Sequence, residues 1–216
     1  MKRVFGKVEV VFNVVYLLTA AVLGVLLLIG PYPSKARVLS GIMVLLLVVG
    51  DAFHLVPRIR SVIDGDDVPY RIALGRGKQM TSVTMTLFYI LLWHVGLILF
   101  TPIGYSGWTV LVYVLALIRI ILCLMPGNQW TERHPPTRWG IIRNVPFFVL
   151  GLMVAALFFV CREEARQIGP VWLAVVLSFA FYLPVVVFSN RQPKIGMLML
   201  PKTLMYVWIA SMCLAL

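Results

Sequence analysis

The chain has 216 residues, 61% of them hydrophobic and only 12% charged, with a mean hydropathy of +0.96. Soluble domains carry about 25% charged residues, so a water-exposed globular fold is excluded and lipid is the solvent for most of this surface. The net charge of +11 comes with no nucleic-acid-binding motif and reads as cationic loops beside an anionic leaflet.

In a bilayer every backbone amide must be paired within its own segment, so apolar runs of about 20 residues become helices. The first run, 8–30, follows Met1-Lys2-Arg3 and is closed by Gly30-Pro31-Tyr32-Pro33. It is too long for a signal-peptide core and ends in no clear small-residue cleavage site, so a retained first helix is expected. The second run, 37–57, ends in Gly50-Asp51-Ala52-Phe53-His54-Leu55-Val56-Pro57. The polar segment 58–80 reads as a loop, with 68–74 forming one or two helical turns on the membrane surface. Within it, Asp64-Gly65-Asp66-Asp67 lacks the spacing and terminal Glu of a calcium loop and reads as a turn. Gly75-Arg76-Gly77-Lys78-Gln79 lacks phosphate-loop spacing.

The third run, 81–101, is closed by Pro102 and Gly104, and the fourth, 108–125, by Pro126-Gly127-Asn128. The fifth, 139–160, leads into the loop Arg162-Glu163-Glu164-Ala165-Arg166. The sixth, 170–189, is closed by Asn190-Arg191-Gln192-Pro193, and the seventh covers 195–216. The expectation is an all-α polytopic membrane protein, with one seven-helix transmembrane domain over 1–216.

Cations set the orientation. Twelve loop or helix-end Lys and Arg, including Lys7, Arg58, Arg71, Lys78 and Arg133, fall on the side of the N-terminus. Four, Lys35, Arg37, Arg162 and Arg166, fall on the other. The positive-inside rule then predicts a cytoplasmic N-terminus and an outer C-terminus, in the plasma membrane. Trp108, Trp130, Trp139 and Trp172 lie near helix ends, as an interfacial belt requires.

Arg119, Arg143 and Lys202 lie inside apolar runs, and Asp51 is the one acid well inside a helix. A mid-helix charge costs roughly 2.5–3.5 kcal/mol on insertion scales, so such residues face a partner or a wet cavity. At 1.5 Å per residue, Asp51 sits roughly 5 Å to the cytoplasmic side of centre. Arg119 and Lys202 fall at similar depths. His54 is one turn below Asp51 on the same face. Arg143 and Asn144 lie near the inner mouth of helix five, Asn13 near that of helix one, and His94 slightly outside centre. The polar groups thus gather in the inner half of the bundle, with cations in excess. Two arrangements compete: a bound anion, and a static Arg119–Asp51 ion pair.

Asp51, His54, His94 and His134 differ in depth, so neither a metal site nor a cofactor is expected. Cys123, Cys161 and Cys213 have no CxxC spacing and read as apolar packing residues.

Gly50-Asp51, Leu55, Phe88 and His94 together resemble the front half of the lysoplasmalogenase family of small polytopic membrane proteins. The resemblance covers residues 50–94. It implies a lysophospholipid-type hydrolase with Asp51 as catalytic acid or base and His94 as its partner. Arg119 or Lys202 would contact the phosphate. The family's later acidic motif has no counterpart, since no acid follows Glu164.

The expected function is therefore an integral membrane protein with a cation-rich inner cavity that binds an anionic ligand. Asp51 and His94 are the candidate catalytic residues; His54, Arg119, Arg143, Asn144 and Lys202 are the candidate ligand contacts. Expected partners are membrane lipids and an anionic small molecule or phospholipid head group, without nucleic acid. Two alternatives remain: a transporter of a small anionic metabolite or lipid, and a non-catalytic membrane subunit with static ion pairs.

Overall fold

A computed structural model describes residues 2–30 and 34–216. The Pro31-Tyr32-Pro33 stop expected after the first helix lies outside the described residues. The chain is all-helical among those residues: α1 (Lys2–Ile29), α2 (Lys35–Asp64), α3 (Arg71–Phe100), α4 (Ser106–Leu124), α5 (Thr137–Val160), α6 (Val171–Phe188) and α7 (Met199–Met212). Seven helical segments there are long and apolar enough to cross a membrane. Each helix packs on its neighbours in sequence and α7 closes back on α1. One end of the bundle, the basal end, gathers the starts of α1, α3, α5 and α7 and the finishes of α2, α4 and α6.

α3 is the most enclosed helix. Its Phe88, Tyr89, Leu92 and Trp93 are fully buried against α5, α6 and α7. Tyr89 meets Phe147 edge-on at 5.0 Å, Phe147 meets Phe179 at 5.0 Å, and Phe88 meets Tyr206 at 5.4 Å. Such aromatic pairs add about 0.5–1.5 kcal/mol each beyond area burial. They make a rigid floor across the middle of the bundle. Around it, α1 and α4 turn rows of Val, Leu and Ile outward, as a lipid-facing surface requires.

Segment 58–80 departs from expectation. It is no surface loop: α2 runs on to Asp64, and α3 begins at Arg71. Each helix has 30 residues, about 45 Å, against a hydrocarbon core of about 30 Å. Both therefore project past the apolar layer, where their charges meet water. Gly65 ends α2 in the left-handed region at φ 74°. Asp66 Oδ1 accepts a hydrogen bond from the Val68 N–H at 3.0 Å, and the Tyr70 hydroxyl donates to Asp64. The acidic run thus builds the turn between the two helices.

Continuing α2 through Pro57 has a cost: proline has no N–H, so the Phe53 carbonyl loses its helical donor. Gly77 of α3 packs against that carbonyl. A Cβ there would lie 2.4 Å from the Phe53 oxygen and 2.7 Å from the His54 Cα. Only glycine permits this approach, which lets a Cα–H donate weakly to the freed oxygen. Further in, Thr81 Oγ1 donates to the Gly50 carbonyl at 2.9 Å. The seventh helix also departs from expectation. Pro193–Leu198 is a tighter 3-10 segment, and α-geometry starts only at Met199. Pro201 then falls in the first turn, where a missing N–H costs nothing.

Gly77→Ala is expected to lower stability by about 1–3 kcal/mol. Gly107→Ala, where nothing lies within 4 Å of the added carbon, should be neutral or stabilising by up to about 1 kcal/mol. Thermal unfolding in detergent, followed by helical circular dichroism, compares them; equal effects would refute the close approach.

Candidate functional site

The basal half of the bundle holds a cavity with two lobes. The first, about 290 Å³, lies among α3, α4, α5 and α6 and the start of α7. The second, about 370 Å³, lies among α1, α2, α3 and α7. His54, Lys78, Thr81, Met199 and Lys202 line both. Those five side chains are the partition between the lobes.

Arg119 dominates the first lobe. α4 carries it five residues before its C-terminal end, and it is 2% exposed. Its guanidinium lies flat on the Phe147 ring, 3.3 Å from the centroid. Nη1 donates to Asn144 Oδ1 at 3.1 Å, its one side-chain hydrogen bond among the described residues. Nε is buried with no partner. A guanidinium has five N–H donors, so most of this one's capacity is unused by protein. Asn144 is itself fixed: its Nδ2 donates to the Gly140 carbonyl at 2.8 Å, and its Oδ1 also accepts from the Tyr182 hydroxyl at 3.1 Å.

Arg143 forms the outer wall. Its Nη1 donates to Asn128 Oδ1 at 2.8 Å, and its guanidinium lies over Trp130 at 4.1 Å. The α4–α5 connection is folded to present both groups. Asn128 Nδ2 donates to the Leu122 and Met125 carbonyls at 2.6 and 2.9 Å. Trp130 Nε1 donates to the Cys123 carbonyl at 2.9 Å. These bonds satisfy the free carbonyls at the end of α4. Trp130 is therefore part of the cavity wall.

Lys202 stands between the lobes. It is 7% exposed and makes no hydrogen bond or ion pair among the described residues. Its ammonium lies 5.0 Å from the Tyr182 ring centroid and 4.9 Å from that of Tyr206. Cation–π contact offsets part of its desolvation, by about 2 kcal/mol at most sites of this kind. Lys78, exposed on α3, completes the set of cations at the mouth.

The second lobe holds the acids. Asp51 Oδ2 accepts a hydrogen bond of 2.6 Å from the Tyr16 hydroxyl of α1. Glu9 and Arg58 form a two-bond ion pair, Nε to Oε1 at 2.6 Å and Nη2 to Oε2 at 3.0 Å. His54 and the buried Asn13 also line this lobe. His54 Nδ1 has no partner. No carboxylate lines the first lobe among the described residues, although Lys78, Arg119, Arg143 and Lys202 do.

The structure thus brings Asp51, His54, Arg119, Arg143 and Lys202 to one cavity, with Asn144 behind Arg119. His94 does not join them. It is thirteen residues past Thr81, hence about 220° round α3, and its Nε2 shares a hydrogen bond of 2.6 Å with the Tyr113 hydroxyl of α4. The pairing of Asp51 with His94 is corrected on that ground. The Arg119–Asp51 ion pair is also absent among the described residues, since each is bonded elsewhere. Tyr16, Lys78, Trp130 and Tyr182 belong to the site without having been expected there.

What the fold and site define is a seven-helix bundle suited to a membrane, with a cationic cavity at its basal end. Neither a protein-family model nor a solved structure matches the chain at a significant level.

Tyr16→Phe removes the donor that Asp51 Oδ2 uses and is expected to cost about 1–3 kcal/mol of stability. In Asp51→Asn the same substitution should cost less. A double-mutant cycle in detergent measures the coupling; additive effects would mean that the hydroxyl and the carboxylate do not act as a pair.

Proposed function

We propose that this protein binds an anionic ligand, a phosphate or carboxylate group, in the first lobe of its cavity. The observation that carries the reading is Arg119: a guanidinium that is 2% exposed, faces a cavity, and has, among the described residues, neither a carboxylate partner nor a partner for Nε. Leaving a buried charge uncompensated costs several kcal/mol. An anion entering the lobe removes that cost and gains charge-assisted hydrogen bonds from Arg119 and Arg143. Lys202 and Lys78 add compact charges on the opposite wall. Residues Met85, Phe147, Val185 and Val186 leave the rest of the lobe apolar, which suits a ligand with an organic body.

By the positive-inside rule, the cavity opens toward the cytoplasm of a plasma-membrane protein. Asp66 sits exposed in the α2–α3 turn, and the three native cysteines are buried. Asp66→Cys should react with an impermeant maleimide only after cells are permeabilised. Labelling of intact cells would reverse the orientation.

Hydrolysis of the bound ligand is the second reading. Its support is that Asp51 and His54 both line the second lobe, a carboxylate and an imidazole one helical turn apart. The resemblance to lysoplasmalogenases points the same way, although its histidine, His94, faces α4 instead.

Anion binding is tested by supplying an internal counter-ion. Asn144→Asp places a carboxylate against Arg119 Nη1. The unliganded variant is expected to be about as stable as the parent: its bond to Arg119 becomes a charged one, worth about 1.5–3 kcal/mol against about 1 for a neutral one, while the Nδ2 bond to the Gly140 carbonyl is lost. Phosphate or succinate at about a hundred times its dissociation constant should stabilise the parent by about 2.7 kcal/mol and leave the variant unmoved. Thermal melts in detergent across both anions decide it. No shift in the parent, or equal shifts in both proteins, would overturn the proposal.

A further inference from the structure

Lys202 is the one buried lysine among the described residues. Lys7, Lys35, Lys78 and Lys194 are exposed. An ammonium has three N–H donors, and Lys202 uses none of them: it makes no hydrogen bond and no ion pair among the described residues. What it has instead is two ring faces, Tyr182 at 5.0 Å and Tyr206 at 4.9 Å. A lysine that served only to join helices would hold a carbonyl or a carboxylate. This one is enclosed, unpartnered and turned to the cavity on two sides, since it lines both lobes.

Two conditions activate a lysine as a nucleophile: removal from water and the company of other cations. Both hold here. Burial supplies the first. Arg119, Arg143 and Lys78 line the first lobe with it and supply the second. The amine is also placed against the anion site. Tyr182 carries Lys202 over its ring and donates its hydroxyl to Asn144 Oδ1, the same oxygen that accepts from Arg119 Nη1. A ligand whose anionic group rests on Arg119 therefore has Lys202 on the wall of the same lobe, within reach of its body.

We infer that Lys202 is a covalent lysine, whose amine condenses with the carbonyl of a small anionic aldehyde or ketone held by Arg119. The inference rests on the anion-binding reading and adds the ligand's second functional group. Ammonium and carbonyl give a protonated imine and one water. The nitrogen–carbon bond forms, the carbonyl carbon–oxygen bond breaks, and the oxygen leaves with two protons from the nitrogen. No oxidant, reductant or further reactant is needed. Asp51, which lines the second lobe with Lys202, is the carboxylate available to relay those protons. The imine keeps the positive charge of the ammonium, so forming the bond costs the anion none of its attraction.

Succinic semialdehyde and butanal, an anionic and an uncharged aldehyde of equal chain length, test the assignment in detergent. Cyanoborohydride reduces the imine and fixes the adduct, and peptide mapping by mass spectrometry gives a labelling rate for each lysine. Burial alone protects, so a purely structural Lys202 would be the slowest of them. The covalent lysine should label with succinic semialdehyde about tenfold faster than exposed Lys35 and Lys194, and faster than with butanal. Phosphate should slow labelling of Lys202 and leave Lys35 unchanged. Asn144→Asp, with its internal counter-ion for Arg119, should bring the rates of the two aldehydes at Lys202 together. Labelling of Lys202 no faster than Lys35 and Lys194, with phosphate still stabilising the parent in thermal melts, would overturn the covalent lysine and leave anion binding standing. Equal labelling of Lys202 by both aldehydes, with no stabilisation by phosphate, would overturn the anion-binding reading and with it the anionic ligand inferred here.

Discussion

The guanidinium of Arg119 lying on Phe147 is the contact on which the basal half of this bundle depends. In lipid an arginine cannot be left to solvent, and among the described residues no carboxylate meets it. Its charge rests instead on an aromatic face 3.3 Å away and on one amide oxygen. Phe147 is held by Tyr89 and Phe179, so the ring beneath the charge belongs to the central aromatic floor. Asn144 is held by Gly140 and Tyr182. The arginine is thus fixed in position while most of its donors stay open. Such a side chain is held in place before any partner meets it, and a preorganised group binds at a lower cost than one that must first be ordered.

The helices around it are arranged to keep that space. α2 and α3 approach closely where Gly77 meets the Phe53 carbonyl, and Thr81 bonds to Gly50 one turn further in. The bonds hold the partition residues His54, Lys78 and Thr81 in register. Across the cavity, Asn128 and Trp130 close the end of α4 and turn their other faces to Arg143. The same side chains satisfy backbone and position charge, so the α4–α5 connection is a structural cap and a cavity wall together. The late start of α-geometry in α7 puts Lys202 in its first turn, level with the partition.

Much of this was legible in the sequence, and the omissions share a physical cause. Hydropathy gave the seven spans because the bilayer imposes their length. Charges within apolar runs marked Asp51, Arg119, Arg143 and Lys202 because each is expensive there. Depth, however, follows from counting residues, whereas direction round the helix does not. In lipid the outer face of a helix is as apolar as its inner face, so the periodicity that orients a soluble helix disappears. His94 was therefore placed by depth alone, and its direction, toward Tyr113 of α4, could not be counted from the sequence. Tyr16 and Tyr182 escaped notice because a tyrosine in an apolar run is unremarkable until its hydroxyl partner is known. Segment 58–80 was misread for another reason. Its polarity excludes it from hydrocarbon but says nothing against helix, and α2 and α3 simply continue into water.

The shared partition gives the two lobes a common electrostatics. Lys202 lines both, lies between two tyrosine rings about 5 Å away, and is committed to neither Asp51 nor an ion pair of its own. Two unit charges 4 Å apart interact by about 4 kcal/mol at an effective dielectric of 20. A negative charge beside Lys202 in the first lobe therefore lowers the attraction Lys202 offers to Asp51 in the second. The reverse holds by the same amount, because linkage between two sites is reciprocal. The ammonium of Lys202 is where the cationic and acidic halves of the site meet.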